Sequence, residues 1–210
     1  MKKTLRILAL VLVILLLASL SFLGCGKDDD KELSAPDYSA LELSEYVRLG
    51  EYKNLTVDAK DKGLAPDVAL WDTVVANAEI IKYPENALSY YKKQAELRYK
   101  YHADEGNMSY DELLWSLGIT EADIEKEAKE YVKSDLVKIA IIHTEGLHLT
   151  DDEKTRLFDK YAYKFSTTYG YTDEYVRKNL VDEIYDAMQY DKMMEFILLN
   201  NEVIQNTEEE

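Results

Sequence analysis

Ile139-Ala140-Ile141-Ile142-His143-Thr144-Glu145-Gly146-Leu147-His148-Leu149-Thr150-Asp151-Asp152-Glu153 decides the fold, because it holds the end of one helix and the start of the next. Apolar residues at three- and four-residue spacing, from Tyr131 and Val132 through Leu136, Ile139, Ala140 and Ile142, run up to Gly146, a residue that stops helices. Thr150 and Glu153 then stand at capping-box spacing, where a hydroxyl and a carboxylate satisfy backbone N–H groups of a first turn.

The same punctuation repeats outward. Upstream, Thr120-Glu121-Ala122-Asp123 opens the helix just described, with the acidic first turn that the helix dipole favours. Ser109 and Glu112 open a short helix that ends at Gly118, and Gly106, suited to a left-handed conformation, closes the helix before it. That earlier helix follows Pro84 and spans Asn86 to Ala103, with Leu88, Tyr91, Ala95, Tyr99 and His102 on one stripe. Downstream, Gly170 ends one helix, and Thr172 or Asp173 begins a last one through Val176, Leu180, Ile184, Met188 and Met193 to Leu199. Asn200-Asn201 and Glu208-Glu209-Glu210 read as a frayed end. Asp67 to Ile80 also has helical spacing, whereas Leu49 to Val57 fits either an extended strand or an ordered loop. Nothing from Pro84 to Leu199 alternates with period two for long, so the predicted class is all-α.

The N-terminus has a different composition. Lys2, Lys3 and Arg6 precede an almost unbroken apolar run from Ile7 to Leu23, the layout of a secretory signal. The chain's single cysteine follows at Cys25, in Ser21-Phe22-Leu23-Gly24-Cys25, which resembles the lipobox of bacterial lipoproteins. The reading is a signal peptide over 1–24, acylation at Cys25 and an acidic tether over 25–45. An uncleaved signal anchor is the alternative, since about 20 apolar residues span a bilayer. Both readings place the rest of the chain at the extracytoplasmic face of a cell membrane, as in a Gram-positive bacterium. With its cysteine at the lipid anchor, the exported part has no disulfide, and its stability must come from packing.

Formal charge is −16, and −19 without the three basic residues of the signal. Such a chain is a poor partner for nucleic acid, which needs concentrated Lys and Arg, and it stands off anionic lipid. Three histidines, no Gly-rich phosphate loop and no nucleophile elbow give no reason to expect an enzyme, a metal or a cofactor. His143 and His148 are separated by Gly146, so they do not share a helix face as zinc ligands would. Seventeen tyrosines and five methionines stand against four phenylalanines. They admit two readings: caps on helix-helix contacts, or the lining of a cleft that is wet when empty and apolar when filled.

Pro84 to about Ile204 resembles the C-terminal, substrate-binding domain of trigger factor, related in turn to the peptide-binding helical domain of SurA. The patterns that carry this are Tyr83-Pro84-Glu85, Gly106-Asn107-Met108-Ser109 with Leu117-Gly118-Ile119-Thr120, Glu145-Gly146-Leu147 with Thr150-Asp151-Asp152-Glu153, and Met193 to Asn201. Tyr46-Val47-Arg48-Leu49-Gly50-Glu51-Tyr52-Lys53-Asn54-Leu55-Thr56-Val57 is similar to a segment that, in trigger factor-like lipoproteins, precedes an FKBP-type prolyl isomerase domain. Here only Asp58 to Ala65 follow it, far short of the roughly 50 residues of a small domain. The resemblance implies a remnant over 46–65, a helical peptide-binding domain with extended arms over 66–204, and an acidic tail over 205–210. It implies a membrane-anchored holdase for unfolded or newly exported polypeptides, without isomerase activity and without a ribosome partner. It also favours the cleft reading, with Tyr91, Tyr99, Tyr131, Tyr163, Tyr169, Tyr185, Met188 and Met193 as the peptide-binding residues. A dedicated assembly adaptor in the cell envelope is the alternative function.

Overall fold

The computed structural model describes residues 35–205. The signal peptide, Cys25, the first part of the tether and nearly all of the acidic tail lie outside the described residues. What is described is mostly helical, in agreement with the predicted class. The seven helices are α1 (Pro66–Asn77), α2 (Glu85–Glu105), α3 (Tyr110–Leu117), α4 (Glu121–Glu145), α5 (Asp151–Tyr169), α6 (Asp173–Asn179) and α7 (Val181–Leu199). A single helical turn, Ala59–Lys62, precedes them.

Both predicted capping boxes form reciprocally, and a third forms at Thr120, predicted only as a helix start with an acidic first turn. At α5, the Thr150 hydroxyl accepts from the Glu153 N–H at 3.2 Å while the Glu153 carboxylate accepts from the Thr150 N–H at 2.8 Å. Ser109 with Glu112 and Thr120 with Asp123 do the same for α3 and α4. Gly146 closes α4 at φ 64°, a left-handed conformation that a Cβ would strain. Gly106 does not do this for α2: its φ is −81°, and the left-handed residue is Asn107, at φ 50°.

Three other expectations need correction. The last predicted helix is broken at Leu180 (φ −122°, ψ 30°), where Asn179 turns its side-chain amide onto the Tyr175 carbonyl and Leu180 itself becomes buried. The helix predicted for Asp67 to Ile80 ends at Asn77, because β3 (Glu79–Ile80) pairs antiparallel with β1 (Val47–Arg48). Glu208-Glu209-Glu210 lie outside the described residues, but at Asn200-Asn201 the expected frayed end is instead a lock. Asn201 accepts from the Leu55 N–H at 2.7 Å and donates to the Tyr52 carbonyl at 3.0 Å, and β4 (Glu202–Ile204) then pairs parallel with β2 (Thr56–Asp58). The ambiguous Leu49 to Val57 thus ends in a strand.

Two hydrophobic cores result. The first joins Leu70 and Val74 of α1, Leu136 and Ile141 of α4, and Met193 and Ile197 of α7, with Tyr38, Val47 and Val57 from the preceding segment. Residues 46–65 are therefore an integral part of this body. The second core, Tyr161, Phe165, Val176, Leu180, Ile184 and Met188, belongs to α5, α6 and the first half of α7. Burying each large aliphatic side chain contributes about 1.5–3 kcal/mol before entropy is counted. The first half of α7 serves one core and the second half the other. A third region is thinner: α2 and α4 pack through Ile124 and through Ala95, Ala103 and Ala128, whose small side chains let the helices approach closely as a projecting hairpin capped by α3.

Candidate functional site

The sequence-predicted residues do not converge. Tyr91 and Tyr131 stack across α2 and α4, with ring centroids 5.2 Å apart and planes 12° from parallel. The Tyr91 hydroxyl donates to Asp135 at 2.5 Å, and burial together with that carboxylate pushes its ionisation far above the ordinary tyrosine value. Burial pushes Tyr131 up to about 12. Tyr99 donates to Glu127 at 3.3 Å. On the second core, Tyr169 packs on Phe165 and Tyr171, and Tyr185 meets Phe158 edge-on beneath the Lys154 ammonium. Tyr163 points outward from α5, 70% exposed. Met188 and Met193 are only 2% and 0% exposed, one in each core, so they line no cleft.

Several tyrosine hydroxyls have carboxylates as partners. Besides Tyr91 and Tyr99, Tyr38 donates to Asp135, Tyr52 to Glu145, Tyr101 to Glu105 and Tyr161 to Asp191. In a chain with 41 acidic residues and only 25 basic ones, these tyrosines give carboxylates a neutral donor that is apolar along its length. Tyr91, Tyr99 and Tyr161 bridge two helices in this way, Tyr38 and Tyr52 tie the segment before the helices to α4, and Tyr101 bonds within α2.

Apolar surface is exposed elsewhere. Helix α3 buries no residue, and on it Trp115 is 86% exposed and Leu117 52%. Its main contact is α2, so Leu113 and Leu114 gain partial cover while Trp115 faces solvent. Met108, in the turn before α3, and Leu97 and Tyr101 on α2 are exposed as well. Residues 104–123 contain six Asp and Glu and no Lys or Arg, and the Lys100 ammonium of α2 lies 5.8 Å from the Tyr110 ring, so the tip is apolar within a mainly acidic surround. The sequence held a signal for it. Four large apolar residues within an eight-residue helix are more than one face can bury.

A second exposed region is a hollow of about 370 Å³ beside α7, walled by Tyr190, Met194, Leu198 and Leu199, with Asp67, Asp191 and Glu195 at its rim. A third, of about 420 Å³, is more polar and includes His148, Lys154, Tyr185 and Asp186. The His143 and His148 rings lie 6.2 Å apart on the surface, and among the described residues no group of three His, Cys, Asp or Glu could hold a metal ion. No helix of the described residues is long and apolar enough to cross a membrane.

No family model matches this chain, and no curated protein is significantly similar to it. The likeness to trigger factor therefore rests on the local residue patterns alone.

Proposed function

We propose that this protein is an extracytoplasmic holdase, tethered at the membrane through Cys25, that binds unfolded or newly exported polypeptides without ATP and without isomerising prolines. The observation that carries the reading is Trp115, 86% exposed on a helix with no buried residue, at the end of a projecting hairpin. The exposure is local: among the described residues every buried side-chain N or O atom has a hydrogen-bond partner, and two clusters of apolar side chains are buried. An exposed apolar patch on an otherwise well-packed surface marks an interaction site.

The energetics suit a weak, fast-exchanging binder. Covering Trp115 and Leu117 yields on the order of 2–3 kcal/mol each, much of it offset by the entropy of association. The acidic surround keeps client complexes soluble and favours neutral or basic segments. Tethering compensates for low affinity by holding the binder where chains emerge from the membrane. The test is aggregation of a chemically denatured client diluted into buffer with the full-length chain in phosphatidylcholine vesicles. Suppression at stoichiometric excess supports the reading, and no effect relative to empty vesicles removes it.

A further inference from the structure

We infer that the hollow along the second half of α7 is a docking groove for an amphipathic helix whose apolar face is flanked by Lys or Arg. This surface is separate from the α3 tip and does not depend on the holdase reading.

Tyr190, Met194 and Leu198 follow one another at i, i+4 and i+8, with Leu199 alongside, so the apolar stripe runs along the helix axis for about 12 Å. Met194 is 6% exposed and forms the floor. Tyr190 and Leu198, at 36% and 39%, form the walls, and Leu199, at 79%, stands at the open end. Ridges at four-residue spacing are what a second helix packs its own ridges between. The groove is preformed, because the Tyr190 ring is held edge-on against the core residue Trp71, with centroids 6.2 Å apart. The opposite face of α7 packs in both cores, so this stripe is the part of the helix left without a partner.

The charge of the rim specifies that partner. Asp67, Asp191 and Glu195 border the stripe, and no Lys or Arg does. Asp191 is already engaged, accepting from the Tyr161 hydroxyl at 2.7 Å with the Lys164 ammonium 3.8 Å away. Asp67 and Glu195 make no ion pair among the described residues, and burial with the neighbouring Asp67 and Asp191 charges pushes the Tyr190 hydroxyl up to about 12. A second copy of this chain is a poor occupant, since a symmetric contact would double the carboxylates in one place. An anionic lipid surface is repelled for the same reason. A helix with basic flanks completes the rim.

The experiment measures binding of a labelled, Trp-free helical peptide of Leu and Lys to the full-length chain in phosphatidylcholine vesicles, with a Leu and Glu peptide as comparison. The Lys peptide is expected to bind at least about tenfold more tightly, with an advantage that shrinks as salt rises. Glu195→Lys should shrink the preference, since Asp67 and Asp191 remain, Leu199→Ser should weaken both peptides, and Trp115→Ala should change neither. Both groove positions are exposed, so these variants are expected to fold. The proposal is overturned by equal affinities for the two peptides, by Glu195→Lys leaving them unchanged, or by loss of binding in Trp115→Ala, which would place the site at the tip. Leu199-dependent dimerisation, or Leu199-dependent retention on phosphatidylglycerol vesicles, would assign the groove to a second copy or to lipid and overturn it equally. Aggregation suppression is read separately, so failure of the groove and failure of the holdase reading are distinguishable.

Discussion

The Tyr91 hydroxyl donates to Asp135 Oδ2 at 2.5 Å, and the Tyr38 hydroxyl donates to the same oxygen at 3.0 Å. One carboxylate on α4 thus ties down both α2 and the segment that precedes the helices. Its other oxygen lies 3.7 Å from the Lys138 ammonium, which also reaches Asp186 on α7 at 3.0 Å. Residues from four parts of the chain meet in this network, at the root of the projecting hairpin. It is a structural joint that the tyrosine count alone could not distinguish from a binding cleft.

Removing Asp135 should therefore cost far more than removing either tyrosine hydroxyl. Tyr91→Phe and Tyr38→Phe each lose one hydrogen bond and should cost about 1 kcal/mol, whereas Asp135→Ala strands two donors and takes one of two carboxylates from a largely covered ammonium, and should cost about 3 kcal/mol. Urea denaturation of the three variants measures this. Similar losses for all three would show that the network is not shared as described.

Met188 and Met193 give a direct contrast between core and cleft. Each fills space in a core, so Met188→Ala and Met193→Ala should each cost about 2–5 kcal/mol through the cavity they leave. Losses of the size seen at surface positions, within about 0.5 kcal/mol, would return them to a cleft.

Gly50 is a position of close approach. A Cβ there would lie 2.2 Å from the Asn77 carbonyl oxygen, at the end of α1, where Asn77 also donates to the Glu51 carbonyl at 2.8 Å. The obstructing atom is backbone, so Gly50→Ala must push α1 away from the Leu49 to Val57 segment and should cost about 1–3 kcal/mol. An unchanged melting temperature would contradict this.

Glu153 supplies a pH signature. The Lys192 ammonium, then the Thr150 N–H and hydroxyl, lower its carboxyl from the ordinary 4.5 to about 2 in the folded state. Because the folded value is the lower one, its contribution to stability is fully present above the unfolded value and is lost as pH falls from about 4.5 towards 2. Glu153→Gln keeps an acceptor for the capping box but not the charge, so it should melt below wild type near neutral pH, with the gap closing on acidification. A gap that stays constant with pH would rule out the ionic contribution.

What could be read from the sequence was local. Ser109, Thr120 and Thr150 announced helix starts because a capping box is complete within four residues, and Gly146 announced an end for a similar reason. The pairing of Thr56–Asp58 with Glu202–Ile204 could not be read, since its two halves lie nearly the whole described chain apart and neither is long enough to show a period of two. The break at Leu180 left the helical spacing from Val176 to Ile184 intact and so gave no warning. Tyr163 and Met188 were grouped by residue type, yet one faces solvent and the other is sealed in a core, a distinction that depends on which helices become neighbours. The excess of large apolar residues on Tyr110–Leu117 was visible in the sequence, but that Trp115 is the one left uncovered depends on α3 having little besides α2 to pack against.

The central claim is that Trp115 touches the client, and its own fluorescence reports this. On addition of a permanently unfolded, Trp-free polypeptide to the full-length chain in phosphatidylcholine vesicles, the wild-type emission should shift to the blue as an exposed indole becomes covered. Trp115→Phe should show no shift, since Trp71 is already buried. Trp115→Ala should lose most aggregation suppression at an unchanged melting temperature. An emission maximum that stays fixed while aggregation is suppressed, or full suppression by Trp115→Ala, would contradict the account.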